Sequence, residues 1–324
     1  MNRALLLLTL SFTACGPATD SAATFVDETP EYGDLAAELK LPFNENRSDT
    51  VDVGSWNVEW FGSPENGPLD GAVQQANVLT VIKQTNLDMV GLVEVVSEDA
   101  FKQLLAGLPA YDGLIVTDPR VPNGAISYSP REQKVALLYK KRFTVDSAKL
   151  IVTEQSYAFA GRPPMEVHLS FTEGSAPRTL IVIVTHFKAM ANADGYTRRI
   201  TAANALKQYL DATYPSKWVL TVGDFNDDID SSTYQHKTSP FAPFVADPAY
   251  RFTTDSLTAA GISTTATFSS TIDHHLATNE LAARFVDGSA KVIRPDAWVA
   301  DYVLKTSDHY PVLTRYDLDR KSVV

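Results

Sequence analysis

The stretch WVLTVGDFNDD, residues 218–228, constrains the fold more than any other part of the chain. An apolar run with strand character ends at Gly223, and Asp224, Asn226, Asp227 and Asp228 follow at once. Unpaired charge is prohibitively costly in a core, so a buried strand that empties into carboxylates must deliver them to a sheet edge. There they meet water, a cation or a phosphate. Ligands collect at strand ends in sheets covered by other layers, which makes this edge the first place to look for chemistry. An acidic turn has the same composition, because Gly, Asp and Asn are ordinary turn residues. The choice rests on whether other strands end the same way.

They do. VDVGSWNVEW, residues 51–60, alternates Val51, Val53 and Ser55 with Asp52, Gly54 and Trp56 before Asn57. DMVGLVEVV, residues 88–96, is a buried strand interrupted by Glu94, which needs either a salt bridge or a cation. LIVIVTH, residues 180–186, is an apolar strand that ends in His186. TIDHHLAT, residues 271–278, carries Asp273, His274 and His275, and TSDHYPVL, residues 306–313, sets Asp308 and His309 before a final strand over 310–316. Further strands are expected at 111–117, 134–139, 145–152 and 165–171, with 231–252 as a loop. Helices are expected over 74–84, from the Ser97 cap to Ala106, and over 198–210. Arg162 stands at the entry to one strand, where a guanidinium can meet substrate phosphate. Arg198 and Arg199 open a helix, and one of them is expected to face an anion. His168, in the outward set of its strand, and His236, in a polar loop, read as surface residues.

With 324 residues, 44% hydrophobic, the chain can bury one large core or two ordinary ones. A net charge of -11 argues against a broadly basic nucleic-acid surface, though not against a local groove in which a bound cation offsets substrate charge. The only cysteine, Cys15, excludes an intrachain disulfide. Arg3, the apolar run 4–12, then Thr13, Ala14, Cys15 and Gly16 look like a bacterial lipoprotein signal. The expected division is a signal over 1–15, a tether over 16–50, a domain over 51–318 and a tail over 319–324. The expected location is extracytoplasmic, either at the outer membrane or cell surface through lipid on Cys15 or secreted.

Asn57, Glu94, His186, Asp224, Asn226, Asp273, Asp308 and His309 lie near the ends of different predicted strands. Two packed sheets with helices outside would bring them to one edge. Carboxylates suit a hard divalent ion such as Mg2+, with Mn2+ or Ca2+ as alternatives, while imidazoles and amides suit phosphoryl oxygens. No G-x-S-x-G, H-E-x-x-H or Cys-rich zinc pattern offers another chemistry.

WNVEW, LVEV, VTHFKA, GDFND, IDHHLAT and SDHYPV occur in this order and resemble the signature blocks of the endonuclease/exonuclease/phosphatase superfamily, over roughly residues 51–316. The resemblance implies an α+β fold: a four-layered α/β sandwich of two mixed, largely antiparallel sheets flanked by helices. It implies Glu94 as principal magnesium ligand with Asn57 beside it, and Asp308 as a second carboxylate of the metal site. It sets His309 at the scissile phosphate paired with Asp273, Asp224 and Asn226 as the water-activating and transition-state-stabilising pair, and His186 on the phosphate. Glu132 is the candidate support for His186, and Arg162 a candidate phosphate contact. His275 stands where many relatives carry an aliphatic residue. The expected protein is a monomeric phosphodiester hydrolase, an endonuclease or exonuclease on DNA or RNA. The alternatives are a phospholipase C or sphingomyelinase type, a phosphomonoesterase, and more remotely a non-catalytic surface binding protein.

Overall fold

Apolar alternation with a period of two forces paired sheets to face each other, and the chain obeys it over most of its length. The computed structural model describes residues 49–318 apart from 64, 174 and 175, so the expected signal, nearly all of the tether and the tail lie outside the described residues. The strands run in chain order as β1 Thr50–Phe61, β2 Met89–Val95, β3 Tyr111–Ile115, β4 Lys134–Lys140, β5 Thr144–Leu150 and β6 Met165–Glu173. They continue as β7 Ala176–His186, β8 Val219–Asp224, β9 Tyr250–Phe252, β10 Asp273–Thr278, β11 Lys291–Val292 and β12 Val312–Asp317. One six-stranded sheet has the order β11-β12-β1-β2-β4-β3, the other β5-β6-β7-β8-β10-β9.

Both sheets are mixed, and each holds one parallel pair at its centre: β1 with β2, and β7 with β8. Parallel neighbours need a crossover, supplied by the Gly71–Thr85 and Ala193–Thr213 helices. β12 lies antiparallel to β1, and β10 antiparallel to β8. Hence the C-terminal ends of the four parallel strands share a rim with the N-terminal ends of β10 and β12. Every strand end that carries a polar cargo in the sequence is one of these six.

Between the sheets lie Val51, Val53, Met89, Val93, Leu137, Val167, Leu169, Val182, Val184, Leu220 and Val222. Residues of the opposite parity, such as Val90 and Leu92, meet Val78, Val81 and Ile82 of the first crossover helix and Phe101 and Leu104 of the Glu98–Ala106 helix. Ile181 and Ile183 meet Ala202, Ala203, Leu206 and Leu210 of the second crossover helix. The result is the four-layered sandwich with helices on both outer faces.

Local chemistry explains most departures from the expected boundaries. The second crossover helix begins at Ala193, because the Asn192 side chain accepts from Gly195 N at 2.8 Å. Pro311 has no N–H to give a ladder, and the last strand starts after it. The expected loop over 231–252 contains the short Ala242–Val245 helix and β9. His168 is on the outer face of its strand, yet only 27% of its side chain is exposed. It bonds Glu166 Oε1 at 2.9 Å and Tyr214 Oη at 3.1 Å, under the C-terminal part of the crossover helix, rather than facing water.

His275 points between the sheets. Its Nδ1 meets Thr314 Oγ1 at 2.7 Å and its Nε2 meets Ser55 Oγ at 3.0 Å, so one imidazole ties β10 to β12 and β1. Burial, aided by the neighbouring His274, pushes its pKa down to about 3. Unfolded, the same group titrates at about 6.5. Its depressed folded value means that stability present above the unfolded value is lost as pH falls from about 6.5 toward 3, at about 1.4 kcal/mol per pH unit. A His275→Gln variant, which keeps polar reach without that proton, is expected to show a flatter loss of stability between about pH 6 and 4 in urea melts. Parallel acid limbs for variant and wild type would refute this.

Candidate active site

The rim residues arrive through the same strand parity that builds the core. Asn57 continues the inward set Val51, Val53, Ser55, and Asp224 continues Leu220, Val222. His186 continues Leu180, Val182, Val184. The residues that follow two of them point outward and anchor them: Phe187 and Phe225 stack with ring centres 5.1 Å apart. Glu94 is different. Val93 is inward and Val95 faces the helices with Val90 and Leu92, so the alternation slips by one across Glu94. The ladders record the slip as register shifts between Asn57 and Phe61 on β1 and between Leu92 and Val95 on β2. Glu94, Glu59 and Trp60 sit there at φ of 66°, 44° and 50°, a left-handed backbone that costs about 1 kcal/mol or more per residue. Asp224 depends on Gly223, at φ 141°, because a Cβ there would lie 2.0 Å from Thr185 O.

Asn57 joins the two halves. Its Nδ2 donates to Glu94 Oε1 at 3.0 Å and to Asp224 Oδ2 at 3.1 Å, and its Oδ1 accepts from Glu59 N at 3.0 Å. His186 Nε2 lies 3.6 Å from Asp224 Oδ2 and 3.8 Å from Glu94 Oε1. His309 Nε2 lies 3.9 Å from Asp224 Oδ2, and its Nδ1 is 2.9 Å from Asp273 Oδ2. The three longer separations exceed a hydrogen bond and leave both rings turned toward one shared carboxylate. Trp56 Nε1 and Tyr302 Oη both donate to His309 O, at 3.1 and 2.5 Å, and Ser307 Oγ accepts from His309 N at 3.0 Å. Asn226, at φ 54°, donates its backbone N–H to Asp224 Oδ1 at 2.8 Å and its Nδ2 to Phe187 O at 3.1 Å.

The two histidines are driven apart. Burial, then the charges of Arg162, His309 and Lys188, keep the His186 pKa well below its ordinary value. Burial opposes charge on His309 as well, but Asp273 and Asp224 overcome it and raise that pKa well above the ordinary value. A neutral and a cationic imidazole thus face the same carboxylate. Burial raises Asp224 to about 7, with Asp273 adding to the rise and His309 opposing it. Burial and the charges of Asp308 and Glu94 raise Glu59 to about 7, against a bond from Asp308 N to its Oε2 at 3.0 Å.

Carboxylates crowded into one rim fit a divalent cation. Asp224, Asp273 and His309 present ligand atoms within 4.8 Å of one another, and Asp273 Oδ1 has no hydrogen-bond partner among the described residues. The oxygen donors of this group suit a hard divalent ion, while His309, kept protonated by the same two carboxylates, faces the ion's ligands rather than the ion. Glu94, Asn57 and Asp308 are not in that group. Glu94 adjoins it through Asn57, and Asp308 lies against Glu59.

One sequence expectation needs correction, and another is narrowed. Glu132 does not support His186: its carboxylate accepts from the N–H of Gln133, and His186 Nδ1 has no partner among the described residues. The inward residue is Gln133, one position on, whose Oε1 accepts from Arg162 Nη1. Arg199 faces no open anion site. It is fully buried, its Nε donating to Asp227 Oδ2 at 2.9 Å and its Nη1 to the carbonyls of Lys188 and Met190 at 2.8 and 3.0 Å. Asp227 also accepts from Ser232 Oγ and Thr233 N, so it pins the turn that carries Asp224 and Asn226. Arg162 is buried, donates Nη2 to Phe187 O at 3.2 Å, and its Nε is without a partner among the described residues. Glu59 was missed, although a carboxylate between Val58 and Trp60 carries the same signal as Glu94.

No curated protein sequence matches the chain. Solved structures share its fold. TDP2 from D. rerio complexed with single strand DNA product is 14% identical, covering 82% of this chain and 98% of that one with a TM-score of 0.59. The human Nocturnin catalytic domain with bound sulfate anion is 19% identical, covering 83% and 94% with a TM-score of 0.55. An endonuclease/exonuclease/phosphatase from Bacteroides vulgatus is 17% identical, covering 83% and 99% with a TM-score of 0.56. These identities speak for the fold alone. The sequence profile of one family matches residues 54–309, which run from β1 to the rim histidine ahead of β12. By that match the chain belongs to the endonuclease/exonuclease/phosphatase family, whose enzymes use divalent metal ions to hydrolyse phosphoesters.

Proposed function

We propose that the protein is a Mg2+-dependent phosphodiesterase acting on DNA or RNA outside the cytoplasm. The observation that carries the reading is the shared carboxylate of Asp224, flanked by a neutral His186 and a cationic His309 at 3.6 and 3.9 Å. A divalent cation held among Asp224, Asp273 and the neighbouring Glu94 would neutralise phosphate charge and polarise the phosphorus centre. At 3.6–3.9 Å the rings do not bond the carboxylates directly, which leaves their nitrogens available to a phosphoryl oxygen. His309, its Nδ1–H fixed by Asp273, offers the Nε2 proton to a phosphoryl oxygen. Asp224 takes a proton from the attacking water as the bond from phosphorus to the leaving oxygen breaks, and that oxygen takes up a proton from solvent water as it departs. Asn57 and Asn226 hold the carboxylates in place, and the guanidinium of Arg162, buried against Phe187 O, adds positive charge beside them. The DNA product in the D. rerio TDP2 structure supports a polynucleotide over a small ester.

The test is a substrate panel: plasmid, single-stranded DNA, RNA and sphingomyelin vesicles, each with Mg2+, Mn2+, Ca2+ or chelator. Polynucleotide cleavage that stops with chelator and returns with Mg2+ is expected. Release of phosphocholine without cleavage of nucleic acid would replace the substrate, and no turnover of any phosphoester would end the reading. The segment 1–15 supports export with a lipid on Cys15. Fatty-acid labelling that survives Cys15→Ala would remove that anchor.

A further inference from the structure

The rim on the His186 side carries an aromatic and cationic surface that the hydrolytic groups do not use. Tyr157 is 72% exposed and Met190 62%, both unusual for large apolar side chains of this protein. Arg198 lies 4.1 Å from the centre of the Tyr157 ring, and its Nε and Nη2 donate to Tyr157 O at 3.0 and 2.6 Å. Asp194 Oδ2 holds the third nitrogen at 3.3 Å. One face of the ring is thereby covered by a fixed guanidinium and the other is open. The turn that carries Tyr157 leads to Arg162, whose Nη2 donates to Phe187 O beside the reaction centre. Lys188 follows Phe187, and among the described residues its Nζ donates only to Ala189 O, at 3.1 Å. Burial together with the charges of Arg198, Arg162 and Arg199 lowers its pKa, against the opposing charge of Asp194. Arg199 is held by Asp227 and Arg198 by Asp194, whereas Lys188 has no carboxylate partner among the described residues and is free to take an anion.

We propose that Tyr157, backed by Arg198, stacks an unpaired base of a polynucleotide, and that Lys188 holds the phosphate between that base and the reaction centre. The subsite rests on the phosphodiesterase reading and narrows its substrate to single-stranded nucleic acid. A rigid exposed ring offers a stacking face to any base, but only a base freed from its partner and neighbours can lie on it. A guanidinium on the far side adds cation–π attraction to the ring and holds its orientation, so little freedom is lost on binding.

Binding of a fluorescein-labelled oligothymidylate, measured by anisotropy in chelator so that no turnover is needed, tests the subsite. The same oligomer with abasic tetrahydrofuran units in place of nucleosides is the control. Tyr157→Ala is expected to weaken oligothymidylate binding about tenfold and to leave the abasic oligomer within twofold, with Tyr157→Phe close to wild type. Lys188→Gln is expected to weaken both oligomers and to lower the salt slope by about 0.7. Equal binding of the two oligomers by wild type, or an equal loss for both in Tyr157→Ala, would overturn the subsite. Absence of cleavage in the substrate panel alongside Tyr157-dependent binding would instead overturn the hydrolase reading, so the two failures are distinct.

Discussion

His309→Ala should lower turnover of any phosphodiester that the wild type accepts by about a thousandfold, measured as initial rate at saturating substrate and Mg2+. The imidazolium is the one cation of the rim bound directly to a carboxylate, Asp273 at 2.9 Å, and turned toward the shared Asp224. Its removal takes away both a proton donor and a positive charge aimed at the phosphate. About 4 kcal/mol of transition-state stabilisation corresponds to that factor. Asp273→Asn keeps the ring but weakens its hold on the proton, and an intermediate loss is expected. The ring of His309 is also held by its own backbone, with Trp56 and Tyr302 on its carbonyl, so the alanine variant should fold. A variant within fivefold of wild type, with an unchanged melting temperature, would show that the chemistry lies elsewhere.

Arg199→Met is expected to cost about 3–5 kcal/mol of folding stability, because it leaves the buried side chain of Asp227 without the guanidinium that holds it. The guanidinium does more than pair with Asp227: its second nitrogen closes the carbonyls of Lys188 and Met190 onto the helix. One side chain therefore fixes both the loop after His186 and the turn after Asp224. Urea melts read the effect directly, and a loss under 1 kcal/mol would mean that Asp227 is held by Ser232 and Thr233 alone. Because two loops move, turnover should fall even at temperatures where the variant remains folded.

The sandwich was legible because its signals are local. Strand runs over 88–96, 180–186 and 218–222 alternate or stay apolar as the layers require, and each ends on a residue that a core would reject. What the sequence hides is the direction of a side chain after a break in alternation. Glu94 and Glu59 both follow valine, yet the backbone turns left-handed at each, and no periodicity announces that. The same one-residue ambiguity misplaced Glu132, whose neighbour Gln133 points inward instead. One of Arg198 and Arg199 was expected to face an anion because both stand near a helix start, and the partner that takes Arg199 out of that choice, Asp227, is 28 residues away and has no local mark. His275 has a physical role the sequence could not name, since its partners Ser55 and Thr314 come from opposite ends of the chain.

The last strand, β12, fills the slot between β11 and β1, and His309 hangs from its leading end. A chain shortened ahead of residue 309 would keep Asn57, Glu94 and Asp224 yet lose both the imidazole that faces them and the strand beside β1. Shortening from that end therefore disarms the rim while most of its acidic residues stay in the chain.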